Sequence, residues 1–407
     1  MDKIFDTIII GGGASGIMTA IFSAMNNNST LILEHNEKLG KKLFITGKGR
    51  CNLTNNSSVD NHLSNIVTNP KFMYSALNAF TPQDTINFFE SMGLKLKTER
   101  GNRVFPESDK SSDVIKTLEN LLKTYHVETK LNTEVRSAYK QDGKFFVVCD
   151  NNSFCCKNLV LATGGVSYSG TGASDIGYKI AKSFGHTIIN PKSALCPIIV
   201  KEDVSSLNGL SLKNVSLCCQ ADGKKIAEQG EMMFTFNSLT GPIALSLSSN
   251  INKLNLENAK LYLDLKPALS EEKLHQKFER EWKENAKKDL KNYLFSVLPT
   301  SFVPFFLKKT RIENKKLAEM TKKEREIMVN TIKKFDFSIK SLDNVNVGIV
   351  TSGGVDVAQV NSKNCMSKLE NNLFIVGELL DVDALTGGYN LQIAWSTAYL
   401  VGNALKG

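Results

Sequence analysis

The sequence predicts an α/β fold, with a Rossmann-type nucleotide-binding domain, an inserted β-barrel and a helical subdomain. Three observations support this prediction. A β-branched strand leads into a glycine turn and a helix at the N-terminus, short strands and then helical periodicity fill the middle of the chain, and strand and helix patterns return at the C-terminus. The 407 residues are enough for two or three domains with substantial cores.

The N-terminal glycine turn has the pattern Gly-x-Gly-x-x-Gly, directly after a β-branched apolar run. Gly11 permits the tight turn, Gly13 lets the main chain approach a diphosphate, and Gly16 lets the helix lie close to the strand. A glycine turn of this spacing also occurs in other α/β domains. We favour a dinucleotide site because the strand before the turn and the helix after it are both present.

The helix start and a following acidic residue complete this predicted site. Main-chain N–H groups at Ala14 and Ser15 would face the diphosphate, where the helix dipole favours negative charge. Glu34 follows the strand Thr30–Leu33, 23 residues after Gly11, and a carboxylate there can accept hydrogen bonds from ribose hydroxyls.

Further elements follow in the first part of the chain. The glycine-rich stretch 40–52 has no helical period and is predicted as a loop. Helices are predicted at 82–92, 112–125 and 175–184. Strands of an antiparallel meander, turning at Asp142 and Gly143, are predicted at 134–139, 144–149 and 154–156. A buried strand from residue 159 then enters the glycines Gly164 and Gly165.

The pattern changes twice in the second half. Short strands typical of a small β-barrel or sandwich are predicted at 196–200, 215–221, 231–236, 243–247 and 260–265. Leu274, Phe278 and Trp282 then recur at helical spacing, and Thr321 with Glu324 predicts a capping box. Strands at 346–351 and 373–376 and a helix at 390–405 end the chain.

These patterns predict three domains. The nucleotide-binding domain is discontinuous, the β-barrel is inserted into it, and the helical subdomain follows the barrel. Their predicted boundaries are 1–188 with 341–407, 189–267, and 268–340.

Composition excludes several classes of protein. No apolar run reaches the roughly 18 residues of a membrane span, and the first residues lack a signal-peptide layout, so we expect a cytoplasmic protein without a membrane partner. The eight cysteines show no C-x-x-C spacing, and with five scattered histidines they predict no metal site.

Basic residues are concentrated in one segment. Residues 270–340 hold 18 Lys/Arg against 11 Asp/Glu, which is +7 of the net charge of +9. Such a segment could face nucleic acid. We favour a solvated helical face, because acidic residues are interleaved and no aromatic and arginine stacking pattern accompanies the charge.

Five stretches of the sequence resemble a known family. They are 39–55 (LGKKLFITGKGRCNLTN), 103–106, 162–172, 210–215 and 387–392. They are similar to the aminoacetone oxidase and BaiN-like family of bacterial FAD flavoproteins, and they extend over the whole chain. The resemblance implies an FAD-binding fold with an inserted β-barrel and a helical unit. Two positions depart from the family pattern: Phe236 replaces a common His, and Ala384 replaces a common Gly.

The resemblance implies FAD as the cofactor. Together with the glycine turn, it predicts that FAD contacts residues at both ends of the chain, with the main chain of Val135 near the adenine and the helix after Gly388 pointing its positive end at the flavin or the diphosphate. The predicted cofactor residues are Gly11, Gly13, Ala14, Ser15, Gly16, Glu34, Lys42, Gly49, Arg50, Cys51, Asn52, Val135, Thr163, Gly164, Gly165, Gly377, Glu378, Asp381, Gly388, Tyr389 and Asn390.

Candidates for catalysis are Tyr389, Tyr168 and Asn52, which lie on the glycine-rich segments expected beside the flavin. Cys51 could be a redox thiol, but no second cysteine has disulfide-reductase spacing, so we favour a structural role. No second Gly-x-Gly-x-x-Gly pattern occurs, so NAD(P)H would bind only transiently as an electron donor.

The resemblance implies an FAD-dependent oxidoreductase with a small-molecule substrate. We expect NAD(P)H-dependent reduction of an enone of the bile-acid type. Two alternatives stay open: oxidation of aminoacetone or another amine by O2, and association with tRNA or another nucleic acid, which the interleaved acidic residues disfavour. The sequence makes no prediction of oligomeric state.

Overall fold

The computed structural model describes residues 3–150 and 152–405. The strands are β1 (Ile4–Ile10), β2 (Thr30–Leu33), β3 (Thr54–Asn55), β4 (Leu96–Glu99), β5 (Arg103–Pro106), β6 (Glu128–Lys130), β7 (Val135–Gln141), β8 (Lys144–Cys149), β9 (Ser153–Leu161), β10 (Ile188–Ala194), β11 (Ile198–Val200), β12 (Ser211–Ala221), β13 (Lys224–Phe234), β14 (Ser238–Thr240), β15 (Lys260–Asp264), β16 (Phe335–Phe337), β17 (Ile339–Leu342), β18 (Val350–Val355) and β19 (Leu373–Ile375).

The α-helices lie between these strands. They are α1 (Ala14–Met25), α2 (Lys41–Ile45), α3 (Val59–Ser64), α4 (Tyr74–Ala79), α5 (Pro82–Ser91), α6 (Ser111–Thr124), α7 (Ile176–Ser183), α8 (Pro242–Ile251), α9 (Glu271–Glu284), α10 (Leu290–Leu294), α11 (Phe302–Thr310), α12 (Lys322–Lys333) and α13 (Tyr389–Ala404). Within the described residues, no helix has the length and apolar character needed to cross a bilayer.

The chain divides into two compact units. The first is Met1–Ala194 with Asn344–Gly407, and the second is Leu195–Asp343. In the second unit, strands and helices share one hydrophobic core, which includes Leu263, Phe278 and Phe335. The separation of a β-barrel domain from a helical subdomain stays a prediction.

The first unit is built on a mixed sheet in the order β6-β2-β1-β9-β8-β7, with β19 also paired to β9. Strands β6, β2, β1, β9 and β19 run parallel, and β7, β8 and β9 form the predicted antiparallel meander. Ile8, Ile9 and Ile10 are buried at its centre, as in sheets covered on both faces. This arrangement confirms the α/β Rossmann prediction.

Three elements of this unit differ from the sequence prediction. Residues 154–156 and the strand from 159 form one continuous strand, β9, because β1 and β8 pair with it on both sides and Asn158 donates to the carbonyl of Asp6 at 2.9 Å. The stretch predicted as a loop contains α2, whose five residues are too few to show a period. The strand predicted at 346–351 is displaced to β18, which pairs with the unpredicted β10.

The second unit contains an antiparallel sheet in the order β16-β15-β12-β13-β14-β11-β17. Its closure into a barrel stays a prediction. Helix α9 buries Leu274, Phe278 and Trp282, and Thr321 and Glu324 form the capping box of α12. Both features confirm the sequence reading of this segment.

The prediction of a strand at 243–247 is wrong, because these residues belong to α8. Gly241, with φ +88°, turns the chain, and Pro242 occupies the first helical position. The buried residues Ile243, Leu247 and Ile251 recur at helical spacing. A five-residue apolar run does not distinguish a strand from a buried helix.

Candidate functional site

The first glycine turn requires glycine for two separate reasons. Gly11 has φ +108°, and a Cβ atom there would lie 2.5 Å from the carbonyl oxygen of Ala162. A Cβ atom on Gly16 would overlap the carbonyl oxygen of Gly11, so α1 can pack on β1 only with glycine at this position. Gly13, in contrast, has no heavy atom within 4 Å of its Cβ direction and is open to a ligand.

Helix α1 begins at this open glycine. Gly13 is its N-cap and provides no side-chain cap, so the N–H groups of Ala14, Ser15 and Gly16 keep the positive end of the helix dipole uncovered by a side chain. Gly377 approaches this helix start, because a Cβ atom on it would lie 2.6 Å from Ser15 Oγ. The structure therefore brings these predicted cofactor residues together.

Glu34 lies at the end of β2 beside the turn. One carboxylate oxygen accepts the N–H of Gly12 at 2.7 Å, and the other accepts the N–H of Asn36 at 2.8 Å. The N–H of Thr133 donates to the carbonyl of Glu34 at 2.9 Å, which brings the chain leading to Val135 alongside. The placement suits ribose and adenine contacts, and these two roles stay predictions.

The second glycine turn precedes α13. Gly388 has φ +101° and is the N-cap, without a side-chain cap, and a Cβ atom on it would overlap the carbonyl group of Thr54. Asn390 closes the loop before the helix by bonding the N–H of Ala384 at 2.9 Å and its carbonyl at 2.8 Å. The start of α13 is thus a second uncovered helix N-terminus, and Asn390 stabilises the turn.

Lys42 and Glu378 form an ion pair of 2.7 Å. Glu378 also accepts the N–H of Thr351 at 2.8 Å, and Lys42 donates to Ser167 Oγ at 2.8 Å. Thr351 Oγ1 in turn accepts the N–H of Ser167 at 3.1 Å, and a Cβ atom on Gly165 would overlap this hydroxyl. One charge pair therefore joins four segments, and the charge of Lys42 is balanced within the protein.

Arg50 and Cys51 have surroundings that differ from those expected of flavin ligands. The guanidinium of Arg50 pairs with Glu99 and, at 2.7 Å, with Asp109, and these hydrogen bonds raise its pKa. It lies 4.1 Å from the ring of Phe105. Cys51 is 0% exposed, and burial raises the pKa of its thiol, which is the environment of an unreactive structural cysteine.

The remaining predicted residues include two buried polar atoms and stretches of open main chain. Asn52 Oδ1 and Thr163 Oγ1 are buried and have no hydrogen-bond partner among the described residues. Gly49 and Gly164, like Gly13, have nothing within 4 Å of their Cβ directions. Two uncovered helix starts and the open glycines fit FAD, whose diphosphate needs N–H donors and a close approach of the main chain.

Tyr168 lies on a loop that packs beside Glu34. Its backbone is left-handed, with φ 58° and ψ 61°, which is rare for an aromatic residue. A Cβ atom on Gly172 would overlap His35, and Asn36 donates to the carbonyl of Thr171 at 3.3 Å. The loop therefore lies near the predicted ribose position, and a catalytic role for Tyr168 stays a prediction.

Tyr389 is buried and held by two residues that the sequence analysis missed. The ring of His62 meets it edge to face at 4.9 Å between centroids, and Asn61 Nδ2 donates to its hydroxyl at 3.2 Å. His62 is fixed by a 2.9 Å hydrogen bond to the carbonyl of Asn55, and burial lowers its pKa. No local motif marks this pair, because the contact spans more than 300 residues of sequence.

Comparisons with known proteins identify the family of this chain. Residues 5–404 match the model of the family described as HI0933-like protein Rossmann domain. The chain is 31% identical over 404 residues to a 3-dehydro-bile acid delta(4,6)-reductase of Clostridium scindens, covering 97% of this chain and 98% of the relative. It is 29% identical over 408 residues to a ribosomal RNA dihydrouridine synthase of Haemophilus influenzae, covering 98% of each.

Solved structures show the same fold at low identity. A 3-ketosteroid delta1-dehydrogenase of Sterolibacterium denitrificans has a TM-score of 0.54 at 12% identity, with 99% of each chain covered. A flavocytochrome c3 fumarate reductase has a TM-score of 0.52 at 14% identity, with 99% of this chain and 78% of that chain covered.

Fold and site define a flavin-dependent oxidoreductase with a Rossmann-type FAD-binding fold. The chain belongs to the HI0933-like family, which includes the BaiN-like proteins, and the resemblance found in the sequence is confirmed.

Alanine at Gly16 and alanine at Gly13 should affect different properties, namely apoprotein stability and FAD affinity. Gly16→Ala should destabilise the apoprotein by about 1–3 kcal/mol, because its Cβ overlaps the Gly11 carbonyl. Gly13→Ala should leave the apoprotein as stable as wild type, because φ −83° suits alanine and the space is open. It should nevertheless raise the Kd for FAD by about tenfold or more. Urea unfolding and FAD titration measure the two effects, and normal FAD binding by Gly13→Ala would contradict the predicted diphosphate position.

Proposed function

We propose that this FAD-dependent oxidoreductase transfers a hydride from NAD(P)H to a carbon–carbon double bond conjugated with a carbonyl group. One observation carries the proposal: relatives that match almost the whole chain are named for two reactions of this single class. A delta(4,6)-reductase saturates double bonds of a 3-oxo compound, and a dihydrouridine synthase yields the saturated form of a ring in which the double bond adjoins a carbonyl. In both, one hydride and one proton add across the bond.

When bound, FAD supplies the two-electron chemistry of the reaction. The protein positions this cofactor with the two glycine turns and Glu34 and with the joined segments at Lys42 and Glu378. The sequence has only one Gly-x-Gly-x-x-Gly pattern, so NAD(P)H has no domain of its own and binds transiently as electron donor.

Tyr389 is the proton donor in this proposal. Its ring is fixed against His62, and its hydroxyl accepts a hydrogen bond from the exposed Asn61. Because the oxygen is the acceptor in that bond, the phenol proton stays available for donation.

Anaerobic half-reactions test the proposed function. NADH or NADPH should bleach the absorbance of bound FAD, and a 3-oxo-4-ene steroid or another conjugated enone should restore it. Failure of both nucleotides to reduce the flavin would contradict the reductase proposal. The amine-oxidase alternative gives a different result in the same preparation, namely hydrogen peroxide formation from aminoacetone in air.

Replacement of Tyr389 by phenylalanine should separate the two half-reactions. Tyr389→Phe should slow reoxidation by the enone by roughly 10²–10⁴-fold, as expected for loss of a general acid, and leave flavin reduction by NAD(P)H unchanged. Tyr74→Phe is the control, because Tyr74 is 60% exposed. Equal slowing of both half-reactions would assign Tyr389 to cofactor binding and contradict the proton-donor role.

A second candidate substrate is a uridine in ribosomal RNA, and a surface of the second unit favours it. Lys287, Lys288 and Lys291 are exposed and have no ion-pair partner among the described residues. Phe295, 38% exposed, follows Lys291 by one helical turn, with its N–H bonded to the Lys291 carbonyl at 3.3 Å. Clustered cations beside an exposed aromatic ring suit phosphates and bases.

The segment 315–318 lies beside this lysine surface. The N–H of Leu290 bonds the carbonyl of Lys315 at 2.8 Å, so two lysine-bearing segments lie side by side. Lys315 and Lys316 are balanced by Glu324 at 2.7 Å and Asp289 at 3.0 Å, which leaves the charges of the first three lysines for a ligand.

Salt dependence distinguishes this RNA surface from a solvated face. Glutamine at Lys287, Lys288 and Lys291 should weaken binding to a ribosomal RNA fragment and reduce the slope of log K against log salt concentration by about 2–3. The control replaces three ion-paired lysines of the first unit, Lys140, Lys157 and Lys179, and gives the same change in net charge. Equal weakening by both triple variants would contradict a defined RNA surface.

A further inference from the structure

The second unit contains a cavity beside its antiparallel sheet. The cavity has a volume of about 720 Å³, and residues of β12, β13, β15 and β16 line it. A volume of this size is typical of sites that bind small molecules. Two of the lining residues, Lys260 and Tyr262, alternate along β15 with the buried Leu261 and Leu263. Their side chains therefore lie on the face of the sheet that is turned away from the core.

Strand pairing brings three lining residues into one row across the sheet. Lys260 of β15 pairs with Gln220 of β12, and Gln220 pairs with Lys225 of β13. Paired residues point to the same face of a sheet. The two lysines therefore flank Gln220 and lie about 10 Å apart at the main chain, which is twice the spacing of neighbouring strands.

Lys201 lines the same cavity from another segment of the chain. Its N–H donates to the carbonyl of Ser338 at 2.8 Å. Ser338 directly follows Phe337, which pairs with Leu261 of β15. The main chain of Lys201 thus lies near the start of β15, where the row begins. Three lysines from three separate segments are brought to one cavity by the fold.

The acidic residues of the lining do not neutralise these three lysines, which are exposed and have no ion-pair partner among the described residues. Asp336 pairs instead with Lys309 at 2.8 Å. Glu257, which forms no ion pair in the described part of the chain, is one carboxylate against three cations. Lys334 adds a further cation to the lining and lies 3.8 Å from Glu271. The excess of positive charge in a concave site attracts anions.

Neutral polar groups accompany the lysines. Burial, followed by the neighbouring Cys218, raises the pKa of Tyr262 to about 12, so its phenol adds no negative charge to the cavity. The side-chain amides of Gln220 and Asn258 also line the cavity and form no hydrogen bond among the described residues. These amides can donate to further oxygen atoms of an anion.

We propose that this cavity binds a small anion that carries at least two phosphate groups. Lysine binds phosphate as a point charge, and three lysines spread along a row suit several charges better than a single one. Pyrophosphate and a nucleoside diphosphate share this chemistry, and the ring of Tyr262 offers the latter a surface for its base. The site is separate from the proposed reaction, and none of its residues is among the predicted cofactor or catalytic residues.

Titration calorimetry with pyrophosphate and ADP tests the proposal. The protein is loaded with FAD, so that ADP cannot enter the FAD site. At least one of the two ligands should bind, and glutamine at Lys201, Lys225 and Lys260 should raise its Kd by about tenfold or more. Tyr262→Leu distinguishes the two sources, because it should weaken binding of ADP alone where the base contacts the ring. The titrations need no electron donor, so a wrong assignment of the reaction does not affect them.

A matched control replaces three exposed lysines of the same unit that do not line the cavity, Lys213, Lys224 and Lys273. Glutamine at these positions gives the same change in net charge and should leave the Kd nearly unchanged. Both triple variants should unfold at the wild-type temperature without ligand, because all six side chains are exposed. Absence of binding by both phosphate ligands, or equal weakening by the two triple variants, would overturn the proposal. Binding of a ribosomal RNA fragment alone through the cavity lysines would overturn it as well.

Discussion

The nucleotide-binding unit depends on the close approach of main chain at Gly16. This residue lies against the carbonyl of Gly11, and Gly11 itself lies against Ala162 at the end of β9. Any side chain at these positions would force α1 away from the sheet. Because these contacts hold, the start of α1 and the carboxyl ends of β1 and β9 meet at one place, which is where a diphosphate can be bound by N–H groups.

Helix α13 extends this constraint to the C-terminal part of the chain. A Cβ atom on Gly402 would overlap the side chain of Phe22, so α13 packs on α1 at a distance that only glycine permits. Trp395 donates to the carbonyl of Leu53 at 2.9 Å, and Gln392 accepts from Thr54 at 2.6 Å. The C-terminal helix therefore fixes the chain that follows the glycine-rich segment, and both glycine turns belong to one packed structure.

The sequence predicts those parts of the structure that a pattern within a few neighbouring residues identifies. The first glycine turn, the acid at Glu34 and the stripe of α9 were predicted because strand, turn and helix patterns identify them within a few residues. Residues 243–247 were predicted as a strand, because five residues are too few to show a helical period. Pro242 at the helix start and the packing of the buried side chains make them part of α8. Tertiary partners decide what short apolar runs become.

The contact of His62 with Tyr389 was missed for a different reason. It joins segments that lie far apart in the chain. His62 carries no spacing motif, so the contact is found only when the structure brings the two segments together.

Charge balance limits which groups of the predicted site are available to the diphosphate of FAD. Two cations among the predicted cofactor residues are already paired, Lys42 with Glu378 at 2.7 Å and Arg50 with Asp109 at 2.7 Å. Their positive charge is therefore largely cancelled before any ligand arrives. The N–H groups at the starts of α1 and α13 are also electropositive, and no side chain caps them. These donors are fixed by the fold, so we expect cofactor affinity to depend on the glycine packing that places the helices.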